Sequence, residues 1–342
     1  MARPVTIHWK KIAGIVSGVV IVLFVGCPLM CKYEVWKKKQ ECRVFPYPDI
    51  VYSNSPEEET SESLPESRVF RWDGNSWIKL NSFCAWTDSF ECISLKTKAG
   101  DTPLYLHDLQ DDKYVSGDLY YHGVYEPESA KAIQETLAED RTLGFVDIGS
   151  HVGTFSIMAA RAGHEVVAAD PLVENVLRFC KSVQHGGFTK KVTIFFTAIS
   201  NSYREVMFSR AKGNVGGTGI FDSHHGSKVR FYNPDVTQTV RLDDLLPEAM
   251  SKFQNAFLKM DVEGHEYQVL LSGEKFFSTL NVKAIYMEWR FYRKGSTGEQ
   301  ILEWMTKRNY FPFNPYRTKE RYPMNTYREW PDNVLWRKAV PQ

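Results

Sequence analysis

The middle of the chain alternates short apolar runs with helical segments, and this pattern limits the possible folds more than any other feature. The runs at 144–148, 165–169 and 192–199 have the length and composition of strands buried on both faces. The segment 154–162 between the first two has helical periodicity and stops at Gly163. Apolar strands separated by helices indicate a parallel sheet covered on both faces. We therefore predict an α/β fold whose ligand lies outside the carboxyl ends of the strands.

The loop after the first predicted strand indicates the kind of ligand. Its glycines, Gly149 and Gly153, let the backbone approach a ligand closely. A dinucleotide site would show Gly-x-Gly-x-x-Gly to seat a pyrophosphate. Here Asp147 precedes the first glycine, which disfavours pyrophosphate and suits the ammonium group of a methionine moiety. Asp170 ends the next strand, where a carboxylate accepts hydrogen bonds from ribose hydroxyls.

This loop therefore predicts S-adenosylmethionine rather than a nicotinamide cofactor. The alternative is that an acid and a glycine after a strand merely cap the sheet. The predicted cofactor-binding residues of this region are Asp147, Gly149, Ser150, Gly153, Asp170 and Pro171.

A second motif, AFLKMDVEGHE at 256–266, is a strand that runs into a dense polar turn. Together with FVDIGSHVG at 145–153 it resembles the FkbM-type family of S-adenosylmethionine-dependent methyltransferases, and the resemblance extends over about 116–338. It implies a Rossmann-like class I fold with a seven-stranded, mostly parallel sheet, its last strand antiparallel, and helices on both faces. It also implies O-methylation of a sugar or other hydroxylated acceptor. His151 and Asp170 depart from the family, which usually has Asn and Glu there; both keep hydrogen-bonding capacity.

The polar turn supplies the candidate catalytic residues His265, Asp261 and Glu263. A hydroxyl acceptor benefits from a base, and histidine is the side chain poised nearest neutral pH, so His265 is the first candidate. The alternative is that His265 only braces the turn. Because Asp261 and Glu263 alternate along the strand end, we expect their side chains to point to opposite sides, one toward the methyl donor.

Two further acids are candidates for the same site. Glu288 ends the neighbouring strand and is placed to hold a hard divalent cation with Asp261. We do not favour a metal, because carboxylate clusters are common without ions. Glu126, in a Tyr-Glu-Pro sequence, resembles the family's entry motif, which implies contact with the cofactor's amino group. The alternative is an exposed acid at a helix N-terminus.

The segment 12–31 contains 20 residues without a charge, enough for a helix to cross a bilayer once. A cleaved signal peptide is the alternative. We predict a single-pass membrane anchor, of type II in the secretory pathway (Golgi or ER), although the flanking basic residues slightly favour the opposite orientation. In an oxidising lumen Cys84 and Cys92 are placed to pair.

The predicted organisation has five parts. They are a tail at 1–11, the anchor at 12–31, a basic juxtamembrane segment and disordered acidic stalk at 32–67, a β-rich lead-in at 68–115 and the methyltransferase domain at 116–342. Within the lead-in, alternating residues on both sides of a turn at 99–103 predict a β-hairpin.

The composition of the chain limits the classes of molecule that it can bind. The chain has 42 basic and 41 acidic residues, so it offers no global cationic surface for nucleic acid. A small-molecule or glycan acceptor is the expected partner. Two alternatives stay open: a catalytically idle module that binds a glycan or protein, and a nicotinamide-dependent reductase, which would lack its three-glycine fingerprint.

Overall fold

A computed structural model describes residues 67–81, 83–85, 89–221, 236–317 and 319–339. The predicted anchor at 12–31 and almost all of the stalk lie outside these residues. No helix within the described ranges is both long and apolar enough to cross a membrane.

The described chain contains fifteen strands and eight α-helices. The strands are β1 (Val69–Trp72), β2 (Trp77–Lys79), β3 (Glu91–Leu95), β4 (Thr102–Leu106), β5 (Leu143–Ile148), β6 (Val166–Asp170), β7 (Val192–Phe196), β8 (Ala198–Ile199), β9 (Glu205–Ala211), β10 (Asn214–Phe221), β11 (Val236–Val240), β12 (Asn255–Met260), β13 (Asn281–Glu288), β14 (Tyr310–Phe313) and β15 (Asn333–Lys338). The helices are α1 (Val115–His122), α2 (Pro127–Glu139), α3 (Thr154–Arg161), α4 (Val173–His185), α5 (Leu246–Lys252), α6 (Glu266–Leu271), α7 (Glu274–Thr279) and α8 (Thr297–Lys307). Short 3₁₀ turns occupy Phe83–Ala85, Leu242–Leu245, Arg290–Tyr292 and Met324–Glu329.

The main sheet has nine strands in the order β14-β15-β13-β12-β5-β6-β7-β1-β2. The first seven in this order form a mostly parallel sheet in which β15 runs antiparallel to both neighbours, as predicted. The predicted number of seven strands is wrong for the whole sheet. β1 adds in parallel to β7 and β2 pairs antiparallel with β1. These strands come from the predicted lead-in, and they cover an edge of β7 whose N–H and C=O groups would otherwise lack strand partners.

Both faces of this sheet are buried. Phe145 packs in one hydrophobic cluster with Ile157 of α3, whereas the next residue, Val146, packs in another with Val269 of α6. Because successive side chains of a strand point to opposite faces, the alternation confirms that β5 is covered on both sides. Its carboxyl end therefore opens between helices, where the predicted glycine loop follows.

The remaining strands form two smaller sheets. β10, β9, β11 and β8 form a four-stranded sheet. β3 and β4 form the predicted antiparallel hairpin, which packs on α4, where the amide of Tyr105 donates to Ser182 Oγ.

The predicted pairing of Cys84 with Cys92 is wrong, because Cys84 forms a disulfide with Cys180 of α4. The 3₁₀ turn Phe83–Ala85 packs on that helix and brings the two Cα atoms to 5.6 Å. That contact joins residues 96 positions apart, which spacing in the sequence does not reveal.

Candidate active site

The glycine loop lies where the polar turn of the second motif meets the end of β5. Gly149 and Gly153 have φ angles of +78° and +84°, which glycine adopts readily. A Cβ at Gly149 would collide with the carbonyl oxygen of Asp261, and one at Gly153 would collide with the ring of Phe179. Both glycines are therefore required for contacts within the protein, apart from any approach of a ligand.

Asp170 holds this loop in place. Its carboxylate accepts hydrogen bonds from the amide of His151 at 2.8 Å, the amide of Leu172 at 3.0 Å and the side-chain amide of Asn175 at 3.0 Å. Burial raises its pKa to about 7, while these three donors act in the opposite direction. Asp170 and the neighbouring Pro171 also line a cavity. Asp170 therefore supports the loop and also lies at the position predicted for a ligand contact.

Asp147 lies beneath the loop rather than on its surface. It is fully buried and accepts a hydrogen bond from Ser156 Oγ at 2.7 Å. The ammonium group of Lys259 lies 3.3 Å from its Oδ1 and donates to the carbonyl of Gly149 at 2.8 Å. The cation that contacts Asp147 in the structure is therefore the side chain of Lys259.

Sequence reasoning missed Lys259, although a lone charge inside the apolar strand AFLKM was a usable signal. Its side chain is 4% exposed. Burial disfavours the charged form, but Asp147 and Asp261 outweigh this and raise the pKa above its ordinary value. Lys259 thus stays a cation at the centre of an acidic site.

The structure corrects the expected orientation of the acids in the polar turn. β12 ends at Met260, and Glu263 adopts a left-handed φ of +55°, so strand alternation no longer applies. Oxygen atoms of Asp261, Glu263 and Glu288 lie within 4.8 Å of one another instead of on opposite sides. Arg290 contacts two of these acids, with Nη2 2.8 Å from Glu263 Oε2 and Nε 2.6 Å from Glu288 Oε1.

The acids of this cluster disfavour one another's ionisation. Burial and then the charge of Asp261 raise the pKa of Glu263, and the same two causes raise that of Glu288 to about 10. Glu126, the residue immediately before α2, also has a raised pKa, through burial and then the charge of Asp261. It accepts a hydrogen bond from Ser129 Oγ at 2.7 Å. The cluster therefore provides an environment that favours a bound cation.

Glu266 closes the polar turn. It is fully buried, its Oε1 accepts from the amide of Val262 at 2.9 Å, and its Oε2 accepts from the hydroxyl of Tyr292. Burial raises its pKa to about 7. Sequence reasoning did not single out Glu266, because an acid in the first turn of a helix is common without any special role.

His265 immediately precedes α6, beside this turn. Its Nε2 lies 3.0 Å from Ser200 Oγ, and its amide donates to the carbonyl of Val262 at 3.3 Å. The ring lines the same cavity as Asp170. His265 is therefore close to the candidate cofactor site and has a hydrogen-bond partner.

Two cavities meet at the carboxyl edge of the sheet. The first has a volume of about 60 Å³ and is mainly apolar; its lining includes Ile148, Ala169, Leu172, Ile199, Phe208 and Ile220. The second has a volume of about 350 Å³ and is more polar; its lining includes Tyr114, Tyr125, Ser150, Thr154, Lys259 and Arg290. Gly149, His151, Gly216 and Asp261 line both. This junction puts the glycine loop and the polar turn between two different environments.

Several buried polar atoms at the second cavity have no hydrogen-bond partner among the described residues. They are Ser150 Oγ, Thr154 Oγ1 and both ring nitrogens of His151. Buried polar groups are usually paired, so these atoms point to a polar ligand.

Comparison with known protein families agrees with the motifs. The methyltransferase FkbM domain matches residues 147–312. No curated protein shows significant similarity to the chain. An O-methyltransferase from Bacillus cereus in complex with SAH is 11% identical over 64% of this chain and 84% of that chain, with a TM-score of 0.35. An S-adenosylmethionine-dependent O-methyltransferase from Thermotoga maritima is 13% identical over 74% and 78%, with a TM-score of 0.32. On the domain match, residues 147–312 belong to the FkbM family of methyltransferase domains.

Proposed function

We propose that the protein is an S-adenosylmethionine-dependent methyltransferase that methylates a hydroxyl group of a sugar or another hydroxylated acceptor. The observation that carries this proposal is the junction of an apolar and a charged cavity at Gly149 and Asp261. A nucleoside and a charged amino-acid tail need adjacent environments of these two kinds. The junction lies at the carboxyl ends of the strands, where open α/β sheets bind ligands.

The residues present fit this cofactor. The apolar lining of the first cavity suits the adenine ring, with Asp170 at its wall as the acceptor for ribose hydroxyls. The unpartnered hydroxyls of Ser150 and Thr154, at the N-terminus of α3, suit the carboxylate of the methionine part. Asp261 and Glu126 add negative charge that favours the ammonium and the sulfonium.

When bound, S-adenosylmethionine supplies an electrophilic methyl group: its C–S bond breaks with the electron pair left on sulfur as the acceptor O–C bond forms. The protein must orient the acceptor and remove the hydroxyl proton. His265 and Asp261 are the two candidate bases, since both line the apolar cavity at the junction. Glu263, held by Arg290, is the candidate for orienting the acceptor.

We further propose that the segment 12–31 anchors the enzyme in a membrane of the secretory pathway. The buried Cys84–Cys180 disulfide supports this location, because such bonds persist in oxidising compartments. A chain lacking residues 1–50 should fold and stay soluble. Aggregation of that fragment, while the full chain folds in detergent, would contradict the proposed separation of anchor and catalytic domain.

The activity is tested by titrating the full chain, in detergent, with S-adenosylmethionine and with NADH in a calorimeter. We expect binding of the first and none of the second; the reverse result would indicate a reductase. Fractionated glycans, lipids and proteins are then incubated with enzyme and methyl-labelled cofactor. We expect label in a hydroxylated acceptor, whereas cofactor binding without transfer to any fraction would favour the idle binding module.

A further inference from the structure

The acid cluster at the ends of β12 and β13 has more carboxyl groups than basic side chains to pair with them. Arg290 is shared between Glu263 and Glu288. Lys259 lies 3.6 Å from Asp261 Oδ2 but closer, at 3.3 Å, to Asp147. Two basic side chains therefore face four carboxyl groups. Within the described part of the chain, Asp261, Glu263 and Glu288 are the one group of three His, Cys, Asp or Glu side chains whose ligand atoms converge this closely.

A second observation points to a ligand at this cluster. Glu288 is only 6% exposed, and although its Oε1 contacts Arg290, its Oε2 is buried and has no hydrogen-bond partner among the described residues. A buried carboxylate oxygen without a partner costs free energy unless something binds it. Backbone geometry explains the convergence: the paired strands β12 and β13 end side by side, and the left-handed Glu263 turns its side chain back toward them.

We propose that Asp261, Glu263 and Glu288 bind a divalent cation and that this cation positions the hydroxyl group to be methylated. Three carboxylate oxygens are the donors preferred by hard cations. Oxygens on opposite sides of Ca²⁺ are about 4.6–5.2 Å apart, and those on opposite sides of Mg²⁺ about 4.0–4.2 Å apart. Three oxygens that lie within 4.8 Å of one another can therefore surround one such cation.

Three protein ligands leave coordination positions open, because Ca²⁺ takes about 6–8 oxygens. Water or neighbouring hydroxyls of one acceptor fill such positions, so the site selects a polyhydroxylated acceptor. This assignment of substrate class rests on the proposed methyl transfer. With Asp261 acting as a ligand, the role of base goes to His265.

Arg290 provides a distinctive test of the proposed cation site. Its guanidinium, on a side chain 44% exposed, contacts the same two glutamates that the cation would use. Removing its charge should therefore strengthen cation binding, whereas removing a ligand should weaken it. A cluster that only stabilises the fold would not respond in opposite directions.

The experiment measures Mn²⁺ binding to the full chain in detergent by electron paramagnetic resonance, after dialysis against a chelator and without cofactor. We expect one Mn²⁺ per chain, displaced by an excess of Ca²⁺ or Mg²⁺. Glu288→Gln should weaken binding at least tenfold, and Arg290→Met should strengthen it severalfold. Glu303→Gln, at a 65% exposed helix position, is the matched control and should bind like wild type.

Absence of saturable Mn²⁺ binding by the wild type would overturn the proposal. So would equal affinity of the wild type and Glu288→Gln; if that variant does not fold, as judged by circular dichroism, Glu263→Gln decides in its place. Full transfer to an identified acceptor by the chelated enzyme would refute the positioning role. Mn²⁺ binding without methyl transfer to any acceptor would instead refute the proposed function and leave the cation site standing.

Discussion

The two cavities at the edge of the sheet share Gly149 and Asp261, yet side chains of different chemistry line them. The smaller one is enclosed mainly by aliphatic and aromatic groups from the ends of β5, β6 and β8 and from the four-stranded sheet. The larger one contains Lys259, Arg290 and the unpartnered hydroxyls of Ser150 and Thr154. The lining of the first suits a flat apolar group, and the lining of the second suits charged and hydroxylated groups.

The difference between the two cavities predicts that cofactor binding and methyl transfer depend on different residues. Substitutions in the apolar cavity should change cofactor affinity, whereas substitutions in the charged one should change transfer or the stability of the site. His265 tests the division most directly, because it lies in the apolar cavity and is nevertheless a candidate base.

The largest expected effect follows from His265→Ala. If His265 is the base, the single-turnover rate should fall by about 10²–10⁴ while cofactor affinity stays nearly unchanged. The wild-type rate should decline at acid pH, because a protonated imidazole cannot accept a proton, and the variant should lose this decline. Rates measured from pH 5 to 9 with saturating cofactor check it. Ser200→Ala, which removes the hydroxyl 3.0 Å from the ring, is the matched control for a bracing role. A His265→Ala rate within threefold of wild type would assign the base role to Asp261, Glu263 or water.

Lys259→Met should cause the next largest effect. Breaking a buried ion pair by removing one partner typically costs about 3–5 kcal/mol, because the other charge stays buried and unpaired. The substitution leaves fully buried Asp147 without its cation, so we expect a loss of this order in the free energy of unfolding. Urea denaturation measures it, with the exposed pair residue Lys307→Met as control. A loss below about 1 kcal/mol would show that the charged cavity tolerates Asp147 without Lys259.

A smaller effect is expected from Asp170→Asn, at the wall of the apolar cavity. Hydrogen bonds to a charged group contribute about 1.5–3 kcal/mol, so S-adenosylmethionine should bind at least tenfold more weakly. We choose Asn because alanine would leave the amides of His151 and Leu172 without their acceptor. Calorimetry measures the change, and Asp118→Asn, at an exposed position of α1, should bind like wild type.

The same substitution carries a pH dependence. Burial raises the pKa of Asp170 from 3.8 to about 7, so the carboxyl is mostly protonated at pH 6 and ionised at pH 8. An ionised carboxylate accepts hydrogen bonds from hydroxyls more strongly. Wild-type affinity for the cofactor should therefore increase as pH rises through about 7, and Asp170→Asn should lose this increase. An unchanged pH profile in the variant would remove Asp170 from the ribose contact.

The smallest effect is expected from Tyr292→Phe. The lost hydroxyl donates to Glu266 Oε2 and accepts from the Glu266 amide, and leaving these buried groups unpaired costs about 1–3 kcal/mol. A lower midpoint of thermal unfolding should appear in the variant and not in Tyr121→Phe, which alters a side chain that is 66% exposed. Equal midpoints would mean that the polar turn does not depend on this contact.

Local patterns in the sequence were sufficient for β5, α3 and β6, for the hairpin and for the position of the glycine loop. These features depend on hydrophobic periodicity and on turn residues that act within a few positions of themselves. The domain match at 147–312 confirms the family resemblance that both motifs implied. The roles predicted for individual residues of the loop and the turn stay predictions.

Other features depend on contacts between distant segments, which hydrophobic periodicity does not describe. β1 joins β7 from more than a hundred residues away, and Cys84 pairs with Cys180 because a 3₁₀ turn packs on α4. Glu263 joins Asp261 because one left-handed residue ends the alternation of the strand. Each outcome depends on side chains that meet only when distant segments pack, and the free energy of such packing is not encoded in any single segment.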